Sequence, residues 1–305
     1  MKTNEVYAKT MLFVWLKLAL GACAIVFSVV LGGILLGVAA VADNESLGSM
    51  FLIVWMILSI LFLGIAQHYV GYLLKAGHVA VVTSIVTTGK VPENMFAYGK
   101  EKVMKKFPTT AAYFAVDKLV AGAVKQINSG LDIIGNFLGK IPGMESVVSF
   151  AKSFVNVALG NVDECCLAYT FYQEEQSAFK SAADGVVIYF QNWKTILKTA
   201  LKVTAITFVI CGIAWFLLMF TFIAGLSVAG MPGFNAFFVG IVLALLIVIN
   251  VKSAFVDSYT MVAMICSYME VAPTTEITFD LYDKLCKLSS QFKSLFQKGQ
   301  QNVTA

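Results

Sequence analysis

Three long stretches of the chain carry no charged side chain, and charged residues concentrate between and after them. The uncharged stretches cover residues 18–42, 46–74 and 203–251. A membrane-spanning helix needs roughly 20 mostly apolar residues, so the first two stretches have room for one span each and the third for two. Helices of soluble proteins usually run for only about 8–20 residues. The pattern therefore predicts an all-α integral membrane protein with four transmembrane helices in two hairpins.

The first uncharged stretch has a second interpretation as a signal peptide. Lys2, Lys9 and Lys17 precede it, and Ala40-Val41-Ala42 resembles a cleavage site. The apolar core of a signal peptide is usually about 7–15 residues long, however. Because the stretch from residue 18 to 42 is longer, we favour a retained first span.

Lysine positions predict the orientation of the first hairpin. The segment 43–49, between the first two stretches, is acidic and contains no lysine. Cytoplasmic loops of membrane proteins carry an excess of Lys and Arg. We therefore expect this loop outside, with the N-terminus and the segment after residue 74 inside. That segment holds six of the lysines, which are Lys75, Lys90, Lys100, Lys102, Lys105 and Lys106.

The second hairpin shows the same asymmetry. Pro and Gly residues make the uncharged segment 229–233 a natural turn between the third and fourth spans. Lysines lie before and after this hairpin, at Lys194, Lys198, Lys202, Lys252, Lys284, Lys287, Lys293 and Lys298. We therefore expect a multi-pass protein in the lipid bilayer with both termini on the cytoplasmic side.

These patterns divide the chain into four predicted regions. Residues 1–75 form the first transmembrane hairpin, and residues 199–270 form the second. Residues 76–198 form an amphipathic helical region, and residues 271–305 form a polar C-terminal tail. The amphipathic region is either a helical domain on the inner side or a set of interfacial or re-entrant helices that line a pathway.

Local signals place helices within the amphipathic region. Pro92-Glu93 is typical of a helix start, and Phe107-Pro108 of a boundary before the next helix. Another helix is expected over residues 144–159, with Gly160 as its C-cap. Between residues 109 and 127, apolar residues recur every three or four positions and predict a buried helix face, formed by Tyr113, Val116, Val120, Ala123 and Ile127.

Composition excludes several classes of function. All 22 basic residues are lysines, the net charge is only +4, and no basic stripe is present, so nucleic-acid binding is not expected. The six cysteines lack the spacing of a zinc site or a disulfide framework. Motifs for nucleotide binding or hydrolysis are also missing from the sequence. We therefore predict neither an enzyme nor a metal or cofactor site.

Polar residues near the inner end of the second span are the first candidates for a transport pathway. Gln67, His68 and Tyr72 cluster there. Polar residues at membrane depth often have a function, and histidine can also relay protons. The simpler interpretation is that His68 hydrogen-bonds a neighbouring helix near the interface.

Asn250, Lys252 and Asp257 are the second group of candidates, at the end of the fourth span. Residues five positions apart on an α-helix do not share a face well, so we expect Lys252 and Asp257 to have separate partners. They are either a snorkelling lysine and an interfacial acid or charges that line a vestibule. Glycines in both hairpins, including Gly32, Gly33, Gly37 and Gly240, favour close helix packing or oligomerisation.

The C-terminal third resembles the end of the choline transporter-like family. The order of features is similar, from Gln176-Ser177-Ala178-Phe179 through Asn192-Trp193-Lys194 and the two spans to residues 251–270. Members of that family have more spans and a large outer loop, both missing here. The resemblance covers well under half of the chain, and we take no substrate or site residue from it. Residues 71–75 also look like a segment of uncharacterised prokaryotic membrane proteins.

Two functions are compatible with these features. The first is an oligomeric channel or transporter for an ion or small solute, with a pore between subunits or completed by the amphipathic region. The alternative is a membrane scaffold or accessory subunit that binds a protein partner on the inner side or shapes the bilayer. Both need amphipathic helices and closely packed spans.

Overall fold

The computed structural model describes residues 2–42, 45–131, 162–231 and 233–301. Within these ranges the chain is helical almost throughout, and none of these residues lies in a strand. The prediction of an all-helical chain is confirmed for them. The helix expected over residues 144–159, with its Gly160 cap, lies outside the described residues.

The described helices follow one another with short connections. In chain order they are α1 (Thr3–Lys9), α2 (Met11–Val41), α3 (Glu45–Thr88), α4 (Met95–Lys106), α5 (Thr110–Leu131), α6 (Val162–Tyr172), α7 (Ala178–Val228), α8 (Gly233–Val251), a π-helical turn (Lys252–Asp257), α9 (Ser258–Val271), a 3-10 turn (Ala272–Thr274), α10 (Phe279–Leu288) and α11 (Ser290–Gln301).

Four helical segments are long and apolar enough to cross a membrane. They are Met11–Ala39, Gly48–Thr88, Val209–Val228 and Gly233–Thr274. Only 6% to 39% of the most apolar window of each segment is buried within the chain. Soluble proteins rarely expose such large contiguous apolar surfaces, so these segments suggest a membrane protein.

The described chain divides into two compact units. The first, which we call the apolar unit, comprises Met11–Lys75 and Thr207–Ser258. Its core contains Ala24 of α2, Leu52 and Trp55 of α3, and Val242 and Leu246 of α8. Polar groups inside this core are paired: the Trp55 indole donates to the Ser28 carbonyl at 2.7 Å, and the Ser28 and Ser59 hydroxyls lie 2.5 Å apart.

Glycines of the apolar unit differ in what they contact. A Cβ on Gly32 would lie 2.8 Å from the Trp55 indole nitrogen, and one on Gly240 would lie 2.7 Å from the Ile223 side chain. Close packing is therefore confirmed at these two positions. In the described part of the chain, a Cβ on Gly33 or Gly37 would meet no atom within 4 Å.

The turn expected from the sequence is present between α7 and α8, at residues 229 and 230. α7 ends at Val228 and α8 begins at Gly233. Gly230 has a φ of +86°, a conformation that residues with a Cβ rarely adopt. The glycine therefore allows the chain to reverse between these two helices.

The second unit, which we call the amphipathic unit, comprises Met1–Thr10, Ala76–Ile206 and Tyr259–Ala305. At its centre, α5 packs against α6, α10 and α11. The helix face predicted from the sequence is confirmed, because each of its five residues is at most 5% exposed, namely Tyr113, Val116, Val120, Ala123 and Ile127.

The predicted start of α4 at Pro92-Glu93 is wrong. The helix begins at Met95, and the Asn94 side chain accepts a hydrogen bond from the Ala97 amide at 2.9 Å. Asparagine satisfies one of the free amides of the first turn in this way. The predicted boundary at Phe107-Pro108 is confirmed, since α4 ends at Lys106 and α5 begins at Thr110.

The region predicted as a polar tail contains the two amphipathic helices α10 and α11. Their apolar residues Leu285, Phe292 and Leu295 are fully buried. The Gln126 side chain of α5 accepts hydrogen bonds from the Ser289 hydroxyl at 2.7 Å and the Gln291 amide at 3.2 Å. Both helices therefore belong to the core of the amphipathic unit. The sequence-based boundaries at residues 75, 198 and 270 stay predictions.

Candidate functional site

A group of polar side chains lies in the apolar unit, beside the turn at which its last helix changes from α to π geometry. We call Lys17, Asn250, Lys252, Asp257 and Ser258 the polar cluster. Lys17 comes from α2, and the other four lie within nine consecutive residues of one continuous helix. α2 packs against both α8 and the π-helical turn.

Lys252 and Asp257 form an ion pair with each other. The Lys252 Nζ atom lies 2.6 Å from Asp257 Oδ1 and 2.9 Å from Oδ2. The prediction that they have separate partners is wrong, because it assumed α geometry. In a π-helix the backbone hydrogen bonds join residues five apart, so these two side chains lie one above the other.

The ion pair is only half-buried. The Lys252 side chain is 40% exposed and that of Asp257 is 47% exposed. In water such a pair contributes about 0–1 kcal/mol to stability. Charged residues inside transmembrane segments are costly, and they usually face a bundle interior or a water-filled cavity. Within a segment that is apolar enough to span a membrane, stability alone is therefore a weak explanation for this pair.

Lys17 is a member of the polar cluster that the sequence reasoning did not select. Its side chain is almost completely buried, at 8% exposed, and its Nζ atom donates a hydrogen bond to the Ser258 hydroxyl at 2.9 Å. In the sequence, Lys17 looked like one of three orientation-setting lysines. The position of Lys17, directly before the uncharged stretch 18–42, could have marked it as a candidate. No feature of the sequence marks Ser258 as its partner.

Asn250 packs into a notch in α2. It is 3% exposed, and its side-chain amide donates to the Leu18 carbonyl at 3.2 Å. A Cβ on Gly21 would lie only 1.7 Å from Asn250 Oδ1, so the fit requires glycine at position 21. This contact gives Asn250 a clear structural role in joining α8 to α2.

Two further side chains lie beside the polar cluster. The Trp15 ring of α2 meets the Phe255 ring of the π-helical turn edge to face, with centroids 5.5 Å apart. The Cys211 thiol of α7 lies within electrostatic range of both Lys252 and Asp257, and it is partly exposed. α2, α7 and the π-helical turn therefore all contribute to the surroundings of the ion pair.

Of the three other predicted site residues, Tyr72 has a described side chain, and it is not a member of the polar cluster. Tyr72 lies on α3 and is buried, at 8% exposed. Gln67 and His68 also lie on α3, but their side chains are outside the part of the structure that is described. Of the six candidates, Asn250, Lys252 and Asp257 are therefore brought together.

The amphipathic unit contains a different polar network, centred on Asp184. This buried carboxylate of α7 accepts hydrogen bonds from Lys180 Nζ and the Tyr282 hydroxyl, and from the Gln176 amide at 2.8 Å. Because Tyr282 belongs to α10, the network ties the C-terminal helices to α7. It acts as an internal support, since the Asp184 side chain is only 4% exposed.

Lys106 is a second internal support in the amphipathic unit. Its Nζ atom donates to the carbonyls of Gln173, Glu174 and Gln176, just beyond the end of α6. Burial lowers the pKa of Lys106 to about 8, although the negative charge of Glu174 favours the charged form. The lysine therefore holds the loop between α6 and α7 in place through these hydrogen bonds.

Chemistry at a metal is not indicated for the described residues, nor is nucleophilic chemistry at the adjacent thiols of Cys165 and Cys166. No group of three or more His, Cys, Asp or Glu side chains there could hold a metal ion. Burial raises the pKa of Cys165 and Cys166 well above the ordinary value, so these adjacent thiols are poor nucleophiles. The polar cluster remains the strongest candidate site.

Comparison with known proteins gives no family for the chain. No protein-family model matches it, and neither the curated proteins nor the solved structures include a significant match. The resemblance to the choline transporter-like family therefore stays an expectation from the sequence. Function has to be argued from the polar cluster itself.

Proposed function

We propose that the protein moves an ion or a small polar solute across a lipid bilayer, and that the polar cluster lies on its path. The observation that carries this proposal is the half-exposed ion pair between Lys252 and Asp257, directly after the uncharged stretch 203–251. A buried lysine, Lys17, lies in the same cluster. Charges in such surroundings commonly mark ion or substrate pathways.

The proposal includes the arrangement of the spans. The four apolar segments cross the membrane as two hairpins, with both termini in the cytoplasm, because the lysines favour that side. Cysteines introduced by Asn44→Cys and Gly233→Cys test this orientation. Both are expected to gain labelling by an impermeant thiol reagent added outside intact cells, relative to the unmodified chain. Labelling gained only after the cells are opened would contradict it.

A homo-oligomer is part of the same proposal. Four helices enclose little space for a path, and the open faces at Gly33 and Gly37 allow another helix to approach closely. Particle mass in detergent or lipid nanodiscs tests this point. A strictly monomeric particle that still supports flux would contradict the oligomer without contradicting transport.

Flux through reconstituted protein is the main test, and Cys211 makes the test specific for this site. Liposomes that contain the protein are expected to release ions faster than empty liposomes. A positively charged, membrane-impermeant thiosulfonate reagent is expected to reduce this flux by attaching to Cys211. The Cys211→Ser variant should conduct normally and lose most of the sensitivity to the reagent.

The competing function is a scaffold or accessory subunit with a protein partner on the inner side. Flux equal to that of empty liposomes, for several ions and small solutes, would contradict transport by the isolated protein and favour this alternative. If the reagent reduces the flux equally in the wild type and in Cys211→Ser, inhibition does not occur at Cys211. That result would leave transport standing and would remove the support for a path through the polar cluster.

A further inference from the structure

The helix that carries the polar cluster changes geometry for a single π-helical turn. α8 and α9 are joined without a break through Lys252–Asp257. Val251 before the turn has φ −62° and ψ −45°, and Ser258 after it has φ −66° and ψ −39°, which are α values. A π turn within an α-helix holds one residue more than α geometry accommodates, and such turns occur frequently at functional sites.

The ion pair depends on this turn. An α-helix rotates by about 100° per residue, so residues five apart would point roughly 140° away from each other. The observed distances of 2.6 Å and 2.9 Å between Lys252 Nζ and the Asp257 carboxylate therefore belong to the π form. Because a half-exposed ion pair contributes only about 0–1 kcal/mol, its loss should change the balance between the π and α forms by a small factor.

The hydrogen bond between Lys17 and Ser258 depends on the same turn. Ser258 is the first residue after the π segment, and its hydroxyl lies 2.9 Å from Lys17 Nζ. If residues 252–257 adopted α geometry, the following residue would be turned by about 100° relative to α8. Ser258 would then point away from Lys17. Two contacts of the polar cluster are thus made in the π form alone.

We propose that residues 252–257 are a two-state switch of the pathway. In the π form the ion pair is closed and Lys17 is bonded to Ser258. In the α form both contacts are open, and the charges of Lys252 and Asp257 are free to meet a passing ion or solute. The link between this switch and transport rests on the proposed function, whereas the switch itself does not.

Trp15 offers a probe at the switch, because its ring contacts Phe255 inside the π-helical turn. The chain has four tryptophans, so 5-fluorotryptophan labelling gives a simple fluorine NMR spectrum of the full-length protein in nanodiscs. The Trp15→Phe variant assigns the Trp15 signal. Trp55, in the core of the same unit, is the internal control.

Two variants move the switch in known directions. Asp257→Asn removes the ion pair and should increase the population of the α form at least threefold. Deletion of Ser253 places Lys252 and Asp257 four residues apart, so they can pair in a regular α-helix. Exchanging the charges, with Lys252→Asp and Asp257→Lys together, should restore the wild-type populations.

The wild type should give two Trp15 signals if exchange between the forms is slow, or one averaged signal if it is fast. In Asp257→Asn the signal of the minor α form should grow, or the averaged signal should move toward it. The Ser253 deletion should give one sharp Trp15 signal, and the Trp55 signal should stay constant. A single Trp15 signal at the same position in the wild type, Asp257→Asn and the deletion would overturn the switch. If Asp257→Asn fails to fold, Lys252→Gln takes its place, because it also removes the ion pair.

Flux measured on the same samples separates the two proposals. Two Trp15 states without any flux would contradict the proposed function and leave the switch standing. Flux above that of empty liposomes with one unchanging Trp15 signal would contradict the switch and leave transport standing.

Discussion

Two lysine–aspartate pairs, each within a single helix, occupy different environments in this protein. In the amphipathic unit, Lys180 and Asp184 are four residues apart in an α-helix, and the Asp184 side chain is 4% exposed. In the apolar unit, Lys252 and Asp257 are five residues apart across a π-helical turn, and they are 40% and 47% exposed. The first pair is built into a core, whereas the second is open on one side.

The difference shows why burial and partners must be considered together. Asp184 also accepts hydrogen bonds from Tyr282 and Gln176, so removing it leaves several donors unpaired inside a core. Asp257 accepts only from Lys252 among the contacts described here. We therefore expect the Asp184 pair to matter for folding and the Asp257 pair to matter for function.

The largest expected effect on stability is that of Asp184→Ala. Breaking a buried, hydrogen-bonded charge pair typically costs about 3–5 kcal/mol, and we expect a loss in this range. The free energy of unfolding can be measured by denaturant titration in detergent. The matched control is Asp283→Ala on α10, whose side chain is exposed; an equal loss in both variants would contradict the buried network.

Tyr282→Phe should have the next largest effect. It removes the hydroxyl that donates to Asp184, and a hydrogen bond to a charged group contributes about 1.5–3 kcal/mol. Tyr259→Phe is the control, since its hydroxyl donates to Asn4 in an exposed hydrogen bond of 2.7 Å. The Tyr282 variant should lose clearly more free energy of unfolding than the Tyr259 variant.

Buried thiols of the amphipathic unit predict a pH dependence. Burial raises the pKa of Cys165 and Cys166 in the folded chain, while in the unfolded chain thiols ionise near pH 8.5. The stabilising contribution is therefore complete below about pH 8.5 and is lost as the pH rises above it.

Between pH 8 and pH 10, the wild type should lose about 3–4 kcal/mol more free energy of unfolding than a Cys165→Ala/Cys166→Ala variant, because each of the two thiols ionises only in the unfolded chain over about 1.5 pH units and each unit corresponds to about 1.4 kcal/mol. Parallel pH profiles for the two proteins would show that the two thiols ionise alike in the folded and unfolded states.

Asp257→Asn should have the smallest effect on stability. A half-exposed ion pair contributes about 0–1 kcal/mol, so the free energy of unfolding in detergent should change by no more than this. A loss similar to that of Asp184→Ala would make the second pair a structural support as well, and would remove the distinction between the two pairs.

Sequence alone predicted the features that depend on regular periodicity. The uncharged stretches indicated the apolar segments, and the three- and four-residue recurrence from Tyr113 to Ile127 identified a buried face of α5. Both signals are repeated many times along a helix, so single exceptions do not hide them.

The candidate site was only partly predictable, because it depends on one local departure from α geometry. Lys252 and Asp257 are candidates because they are charged residues beside an apolar stretch. Their pairing depends on the π-helical turn, which no residue pattern predicts. Lys17 joins the polar cluster through Ser258, a contact across 241 positions of the chain. Long-range contacts of this kind leave no trace in a single sequence.

The most direct test of the pathway is ion flux from liposomes that contain Asp257→Asn, compared with the wild type and with Asp283→Asn. If the polar cluster lies on the path, the wild type conducts above empty liposomes, Asp257→Asn changes the flux at least about tenfold, corresponding to 1.4 kcal/mol, and Asp283→Asn leaves it unchanged. Equal flux in all three proteins, with normal folding, would contradict a role of the polar cluster in transport.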